Sequence, residues 1–417
     1  MQLKTILNRV EHFKSFVYGK VLWVDGAPRP TIEVEIHPRK NGRPICSGCD
    51  QVRPGYDRLP ARRFEFVPLW GIAIYFVYAM RRVECPQCGV KVEKVPWCDG
   101  KNQLTITYRW FLARWAKRLS WQEVACAFRT TWENVFRSVK HAVSWGLVHR
   151  HLDGIQAIGV DEIQWQRGHR YLTLVYQIED GLKRLLWVAQ ERTEDSLRGF
   201  FTILGDEART GIRFVCSDMW KPYLNVIAEQ IKQAVHVLDR FHIMKNMGDA
   251  IDKVRRGESK RLERDGYEPV LKNSRWCLLK RPENLTDKQT VKLAELLQYN
   301  LQSVRSYLLR EDFQQFWEYS TPGWATRFLQ QWCTRTMRSK IEPMKKVARS
   351  LREHHDLILN WFRAKGTISA GTVEGLNNKA KLTTRKSYRF RTFEAAETAL
   401  YHTLGALPEP ESAHEFC

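Results

Sequence analysis

The alternation of apolar and polar positions changes texture four times along the chain. Up to about residue 100 the period is short and strand-like. Residues 103 to 150 repeat apolar positions every three or four residues, as helices do. From 155 to 245 short apolar runs alternate with helical stretches. Residues 250 to 365 are charged, rich in Trp and helical, and a short basic piece closes the chain. These shifts predict modules at 1–100, 101–150 and 151–249, an insertion at 250–365, and a return to the third module at 366–405.

The third region carries the most specific order. Ala157 to Asp161 reads as a strand, and Tyr171 to Glu179 with Leu185 to Gln190 as a hairpin turning near Asp180-Gly181. Thr193 caps a helix from Glu194 to about Leu204. Arg213 to Ser217 is a strand ending at Asp218. A helix follows near Trp220 to Ile231, and Ala234 to Leu238 is a strand ending at Asp239. Three strands, a helix, a strand, a helix and a strand give the succession of a ribonuclease H-like α/β core. Its first and fourth strands lie side by side, which would bring Asp161 and Asp218 together. Carboxylates gathered from separate elements are what divalent ions need to cut a phosphodiester. Each acid also has an ordinary role open to it. Asp161 could end a strand in solvent, Asp218 could cap the next helix, and Glu374 could be a surface helix acid. Glu162 competes with Asp161, because alternation lets only one of two neighbours face a site.

The first two modules point to DNA. Cys46-x-x-Cys49 and Cys85-x-x-Cys88 are spaced as a tetrahedral Zn²⁺ site with strands between the pairs, a zinc-ribbon-like arrangement. Cys98 is left over, and the other cysteines are scattered. Ser120-Trp121-Gln122-Glu123 is a capping box opening a helix through Phe128. Arg129-Thr130-Thr131 makes a turn, and Thr131 caps a second helix whose buried face would be Trp132, Val135, Phe136 and Val139. The result resembles a helix-turn-helix, with Asn134, Arg137, Ser138 and Lys140 predicted outward toward bases or phosphates.

Charge strengthens that reading. The 417 residues hold 67 Lys and Arg against 46 Asp and Glu, a net +21, which favours a polyanion such as double-stranded DNA. With 43% hydrophobic residues and 16 Trp the chain can bury several cores. The most apolar window, Phe64 to Met80, is broken by Glu65 and Pro68 and is too short to span a membrane. The start lacks a signal-peptide pattern, and ten cysteines without one suit a reducing cytoplasm. In the insertion, Thr286-Asp287-Lys288-Gln289 is a second capping box, followed by Leu293, Leu296, Leu297, Leu301, Val304 and Leu308 at helical spacing. Arg255-Arg256 and Lys260-Arg261 could grip phosphates. So could Lys379, Lys381, Arg385, Lys386, Arg389 and Arg391, a cluster with no acid from Gly375 to Arg391. Trp276, Trp317, Trp324, Trp332 and Trp361 are expected mostly in cores, with one free to stack on a base.

Four segments, in order, carry a family resemblance. They are Gly159-Val160-Asp161-Glu162, Ser217-Asp218-Met219-Trp220-Lys221-Pro222-Tyr223, Val237-Leu238-Asp239-Arg240-Phe241-His242 and Val373-Glu374-Gly375-Leu376-Asn377-Asn378-Lys379. The chain resembles the DDE transposases of bacterial insertion sequences, and most of all their ISL-three family, over nearly its whole length. Ser387 before Tyr388 departs from the pattern, where Gly is expected. The resemblance implies that Asp161, Asp218 and Glu374 bind Mg²⁺ or Mn²⁺ for two-metal phosphoryl transfer. It puts Asp239 and His242 close by as a second tier. It further implies binding to terminal inverted repeats, strand cleavage and strand transfer to target DNA, a homo-oligomer on paired ends, and a nucleoid-associated life in a bacterial cytoplasm. The alternatives are a DNA-binding regulator with a decayed core and a structure-selective nuclease of the same fold.

Overall fold

The computed structural model describes residues 2–179, 181–364, 370–386 and 390–411. It divides into two compact units, one reaching to His151 and taking in the chain from Thr383, the other spanning Leu152–Leu382.

The first unit opens with α1 (Leu3–Val10), then β1 (Phe16–Trp23), β2 (Thr31–Pro38), β3 (Gly55–Arg58), β4 (Arg62–Leu69), β5 (Ile72–Tyr78), β6 (Arg81–Cys85) and β7 (Gly89–Val92). These make a four-stranded sheet, β1-β2-β5-β4, and a small one, β3-β6-β7. Phe13, Phe16, Phe64 and Tyr78 crowd around Trp97, with Tyr18 and Phe76 against Phe13, and each fully buried large side chain contributes roughly 1.5–3 kcal/mol. The sheets are joined by Glu93, whose fully buried carboxylate accepts from Tyr78 Oη at 2.6 Å and Arg81 Nη2 at 2.7 Å. Helices α2 (Ile106–Trp115), α3 (Trp121–Ala127) and α4 (Trp132–His149) follow. The Ser120 capping box opens α3, and Arg129 turns the chain with a positive φ of 52°.

The core of the second unit is a five-stranded sheet ordered β10-β9-β8-β11-β12. Its strands are β8 (Ala157–Gln166), β9 (Arg170–Glu179), β10 (Leu182–Gln190), β11 (Phe214–Ser217) and β12 (Val235–Leu238). β9 is antiparallel to β8 and β10, whereas β11 runs parallel to β8 and β12. Helices α5 (Glu194–Gly211, kinked at Gly205) and α6 (Lys221–Gln230) cover one face. Their Leu197, Phe200, Tyr223 and Val226 share a core with Ile158, Val160 and Val215.

The helical insertion begins with α7 (Arg240–Arg264) and continues through α8 (Arg275–Leu279), α9 (Asp287–Leu297), α10 (Gln302–Gln314), α11 (Pro322–Arg338), α12 (Glu342–Glu353) and α13 (His355–Arg363). Phe313, Phe316, Trp317 and Trp332 fill its centre, and Ile243 and Met247 of α7 belong to the same cluster. Helix α14 (Ala370–Lys386) returns to the other face of the sheet. There Gly159 is required: a Cβ on it would stand 2.5 Å from Val373 Cγ2.

Several expectations change. β8 does not end at Asp161, since β9 pairs with it as far as Gln166. The leucine run from 293 to 308 is two helices, because Glu258 of α7 accepts from Gln302 N (2.9 Å) and Ser303 N (2.8 Å) and starts α10 afresh. Leu297 and Leu308 are exposed, as are Trp276 and Trp324. The last helix, α15 (Phe393–Leu404), groups with the first unit, not with the 366–405 piece of the core. There it packs on α4, and Glu409 beyond it meets Arg114 at 2.9 Å and Lys117 at 2.5 Å.

Candidate active site

Strand register sets the site. Cys216 pairs with Gly159 across β11 and β8, and Ser217 with Leu238 across β11 and β12. Carrying each register past the last pair puts Asp161, Asp218 and Asp239 in one row, on strands spaced about 4.8 Å apart. Asp161 is in the row although its strand continues, because β11 stops pairing just before it.

Alternation then separates Asp161 from Glu162. Ile158 and Val160 face the α5–α6 core, so Gly159 and Asp161 face α14. Asp161 Oδ2 accepts from Asn377 Nδ2 and lies 3.6 Å from His242 Nε2. Asp161 Oδ1 accepts from Glu162 N at 2.7 Å. Glu162 turns to Arg192, 2.7 Å away, and Arg192 lies 3.9 Å over the Trp220 ring.

The ordinary roles prove compatible with a site. Asp218 Oδ1 accepts from Trp220 N at 2.9 Å, and Asp239 Oδ1 from Phe241 N at 2.8 Å. Asp239 is thus the N-cap of α7, whereas Asp218 closes the turn ahead of α6, whose N-cap is Trp220, and each keeps a second oxygen. Asp239 Oδ2 is 4.0 Å from His242 Nε2, so one imidazole faces two acids. Glu374 is half-buried on α14, between the buried Val373 and Asn377, and its charge is felt at Asp239.

Electrostatics show how much negative charge is gathered here. Burial, then the charges of Asp218 and Asp161, push Glu162 up to about 7. Burial lifts Asp239 to about 6, against the opposing hydrogen bond from Phe241 N. Asp218 is also raised, chiefly by burial. For His242 burial works downward, but the carboxylate of Asp161 3.6 Å away, helped by Asp239 and Asp218, raises it to about 9. Carboxyls that resist ionising beside a histidine that holds its proton form a site short of positive charge, which a divalent cation would supply. Hard carboxylate oxygens suit Mg²⁺ or Mn²⁺.

Two site residues escaped the sequence reading. Asn377 bonds Asp161 and accepts from Tyr176 Oη at 2.9 Å, which fixes its amide orientation. Its signal was its place three residues after Glu374, on the same side of a helix. Arg192 lies in a loop and gave none.

The four cysteines do meet. Among the described residues, Cys46, Cys49, Cys85 and Cys88 are the set of three or more potential ligands whose atoms all lie within 4.8 Å. Cys49 and Cys85 sulfurs are 3.7 Å apart, the edge of a tetrahedron with Zn–S bonds of about 2.3 Å. Gly48 is confined by this packing, since a Cβ on it would lie 2.9 Å from Cys88 Sγ. The acidic row is looser than this cluster.

The predicted DNA-facing residues divide. Ser138 is a correction: it is fully buried and donates to Asn134 O at 2.7 Å. Trp132, expected inside, is 55% exposed. Asn134 bonds Thr130 Oγ1, Lys140 pairs with Glu394, and exposed Arg137 pairs with Glu133 at 2.6 Å. Lys379, Lys381, Arg385 and Arg391 are exposed. Ser387, Tyr388, Arg389 and the Lys386 side chain lie outside the described residues. In α7, Arg255 and Arg256 are held by Asp252, and Arg261 by Glu258. No helix among the described residues is long and apolar enough to cross a membrane.

Comparison with known proteins gives the chain a family. The profile of the DDE ISL-three family, described as "Transposase", matches residues 158–400. The chain is 28% identical over 394 residues to the "Transposase for insertion sequence element IS1001" of Bordetella parapertussis, covering 94% of this chain and 96% of that one. It is also 28% identical over 405 residues to the "Transposase for insertion sequence element IS1557" of Mycobacterium tuberculosis, covering 89% and 87%.

Proposed function

The chain belongs to the ISL-three family of DDE transposases, and we propose that it cuts and joins DNA at the ends of its own insertion sequence. Asp161, Asp218 and Glu374 are the acids assigned to hold Mg²⁺ or Mn²⁺. The observation that carries the reading is the in-register row of Asp161, Asp218 and Asp239, with Glu374 brought alongside by α14. The strand order β10-β9-β8-β11-β12 supports a ribonuclease H-like core.

Asp161, Asp218 and Glu374 would hold the metal ions, whose chemistry when bound would be activation of a water or DNA 3′-hydroxyl and stabilisation of the leaving oxygen. The protein's own groups prepare the place. Asn377 and His242 fix the Asp161 carboxylate, and Asn377 is itself held by Tyr176. His242 keeps its proton at neutral pH, offsetting the charge of Asp161 and Asp239. Arg192 holds Glu162 on the opposite side of β8, where its carboxyl can exchange a proton near neutrality.

The first unit is assigned to recognising the terminal repeats, with the four cysteines on structural Zn²⁺. Ser138 drops out of the contact set. Arg137 stays in it, and Asn134 and Lys140 would have to exchange their present partners for DNA. Lys379, Lys381, Arg385 and Arg391 are assigned to the phosphates. Joining two ends calls for at least two copies on DNA, in the bacterial nucleoid.

The test is a labelled duplex carrying the element's end, incubated with Mg²⁺. Wild type should nick and join it, and Asp161→Asn or Glu374→Gln should each lose at least about a hundredfold in rate, given the weight of such electrostatic groups. Equal cleavage by wild type and both variants would overturn the assignment.

A further inference from the structure

The insertion carries a second, distinct basic surface, on α11. At 100° per residue, Trp324, Arg327, Arg335 and Arg338 fall within roughly a quarter of the helix circumference, and the strip runs about 21 Å along the axis. All four are exposed, Trp324 to 61%. Arg352 of α12 joins them by donating to Thr334 Oγ1 at 3.2 Å.

Guanidiniums without an acid gather on this strip. Most other arginines of the insertion lie beside an acid, as on solvated faces. Arg255 and Arg256 have Asp252, Arg261 has Glu258, Lys292 has Glu295, and Lys345 and Arg349 share Glu342. On the strip Arg335 pairs with Asp312, whereas Arg327, Arg338 and Arg352 have no acidic partner among the described residues. Like charges left together on one helix face cost stability. Trp324 has Arg327 5.9 Å from its ring centre and otherwise leaves its indole to water, forgoing the gain of burial. Both features make sense on a surface that meets a polyanion with an apolar component.

We infer that the α11 strip is a sequence-independent contact for the backbone of double-stranded DNA. The guanidiniums of Arg327, Arg338 and Arg352 meet phosphates, and Trp324 packs against the sugars. The inference rests on the transposase reading, which makes DNA the polyanion at hand, and adds a contact outside the acidic site and the first unit.

The experiment uses the full chain and fluorescence anisotropy across a NaCl series. One duplex carries the element's end and a second of equal length is scrambled. Each phosphate contact contributes about −0.9 to the slope of log K against log salt. Arg327→Gln/Arg338→Gln/Arg352→Gln should therefore flatten the slope by roughly 2–3 on both duplexes, leaving the preference for the end unchanged. The matching Arg→Lys triple should keep the wild-type slope. Trp324→Ala should weaken both duplexes at unchanged slope, and wild-type affinity in it would remove the indole from the surface. A slope unmoved in the Gln triple overturns the inference, as does equal flattening in an Arg281→Gln/Lys288→Gln control. If wild type binds neither duplex, it is the transposase reading that fails.

Discussion

At the scale of single residues, the site depends on groups that never need touch the metal. Asn377 satisfies both Asp161 and the fully buried Tyr176 hydroxyl. Asn377→Ala should cost about 1–3 kcal/mol by leaving that hydroxyl unpaired. The change would appear as a lower urea midpoint at constant m, and adding Tyr176→Phe should recover much of it. Equal losses that simply add would contradict the network. The row of Asp161, Asp218 and Asp239 was legible in the sequence, because each follows or closes an apolar run that reads as a strand, whereas Glu374, on helix α14, came only through the family resemblance. Asn377 was flagged only by its place three residues after Glu374, which does not say that its amide will face a carboxylate from another element. Ser138 failed for a related reason: a small hydroxyl can satisfy itself on the i−4 carbonyl and be buried at no cost in unpaired groups.

Among elements, the predicted strands and capped helices of the sheet were found close to their expected places, while the exact ends moved. β8 outran Asp161 because pairing with β9, invisible in one strand's own pattern, carries it to Gln166. The break between α9 and α10 comes from Glu258, far away in sequence. The zinc-ribbon-like element allows a direct check. Its small sheet β3-β6-β7 has a core of little beyond the four cysteines and Val83, so bound metal should supply much of its stability. Purified protein should release a single Zn²⁺ to a colorimetric chelator, and Cys85→Ser should release none and lose protection from proteolysis between residues 45 and 95. A wild-type protein free of zinc yet equally protease-resistant would contradict this.

Over the whole molecule, each unit hides neutral histidines. Burial lowers His236 in the second unit, and His141 and His402 in the first, to about 4. Unfolding returns each to about 6.5, so the unfolded chain binds more protons as pH falls. Stability from these groups is therefore complete above pH 6.5 and is lost progressively from there down to about 4. Glu162 and Asp239, whose carboxyls burial raises, contribute with the opposite sign over the same window, so the histidine share is read as a difference between proteins. Urea midpoints of His402→Gln should fall less steeply toward pH 4 than those of wild type, and an identical pH dependence would show that His402 is not buried neutral.

Sharing of a divalent cation by the row of carboxylates, the central proposal, can be measured without knowing the element's ends. Free Mn²⁺ can be followed by its paramagnetic resonance signal while it is titrated with zinc-loaded protein. Wild type should remove Mn²⁺ from solution, and Asp218→Asn, with the same fold by circular dichroism, should lose that uptake. Identical uptake by the two proteins would contradict the assignment of Asp218 to the metal.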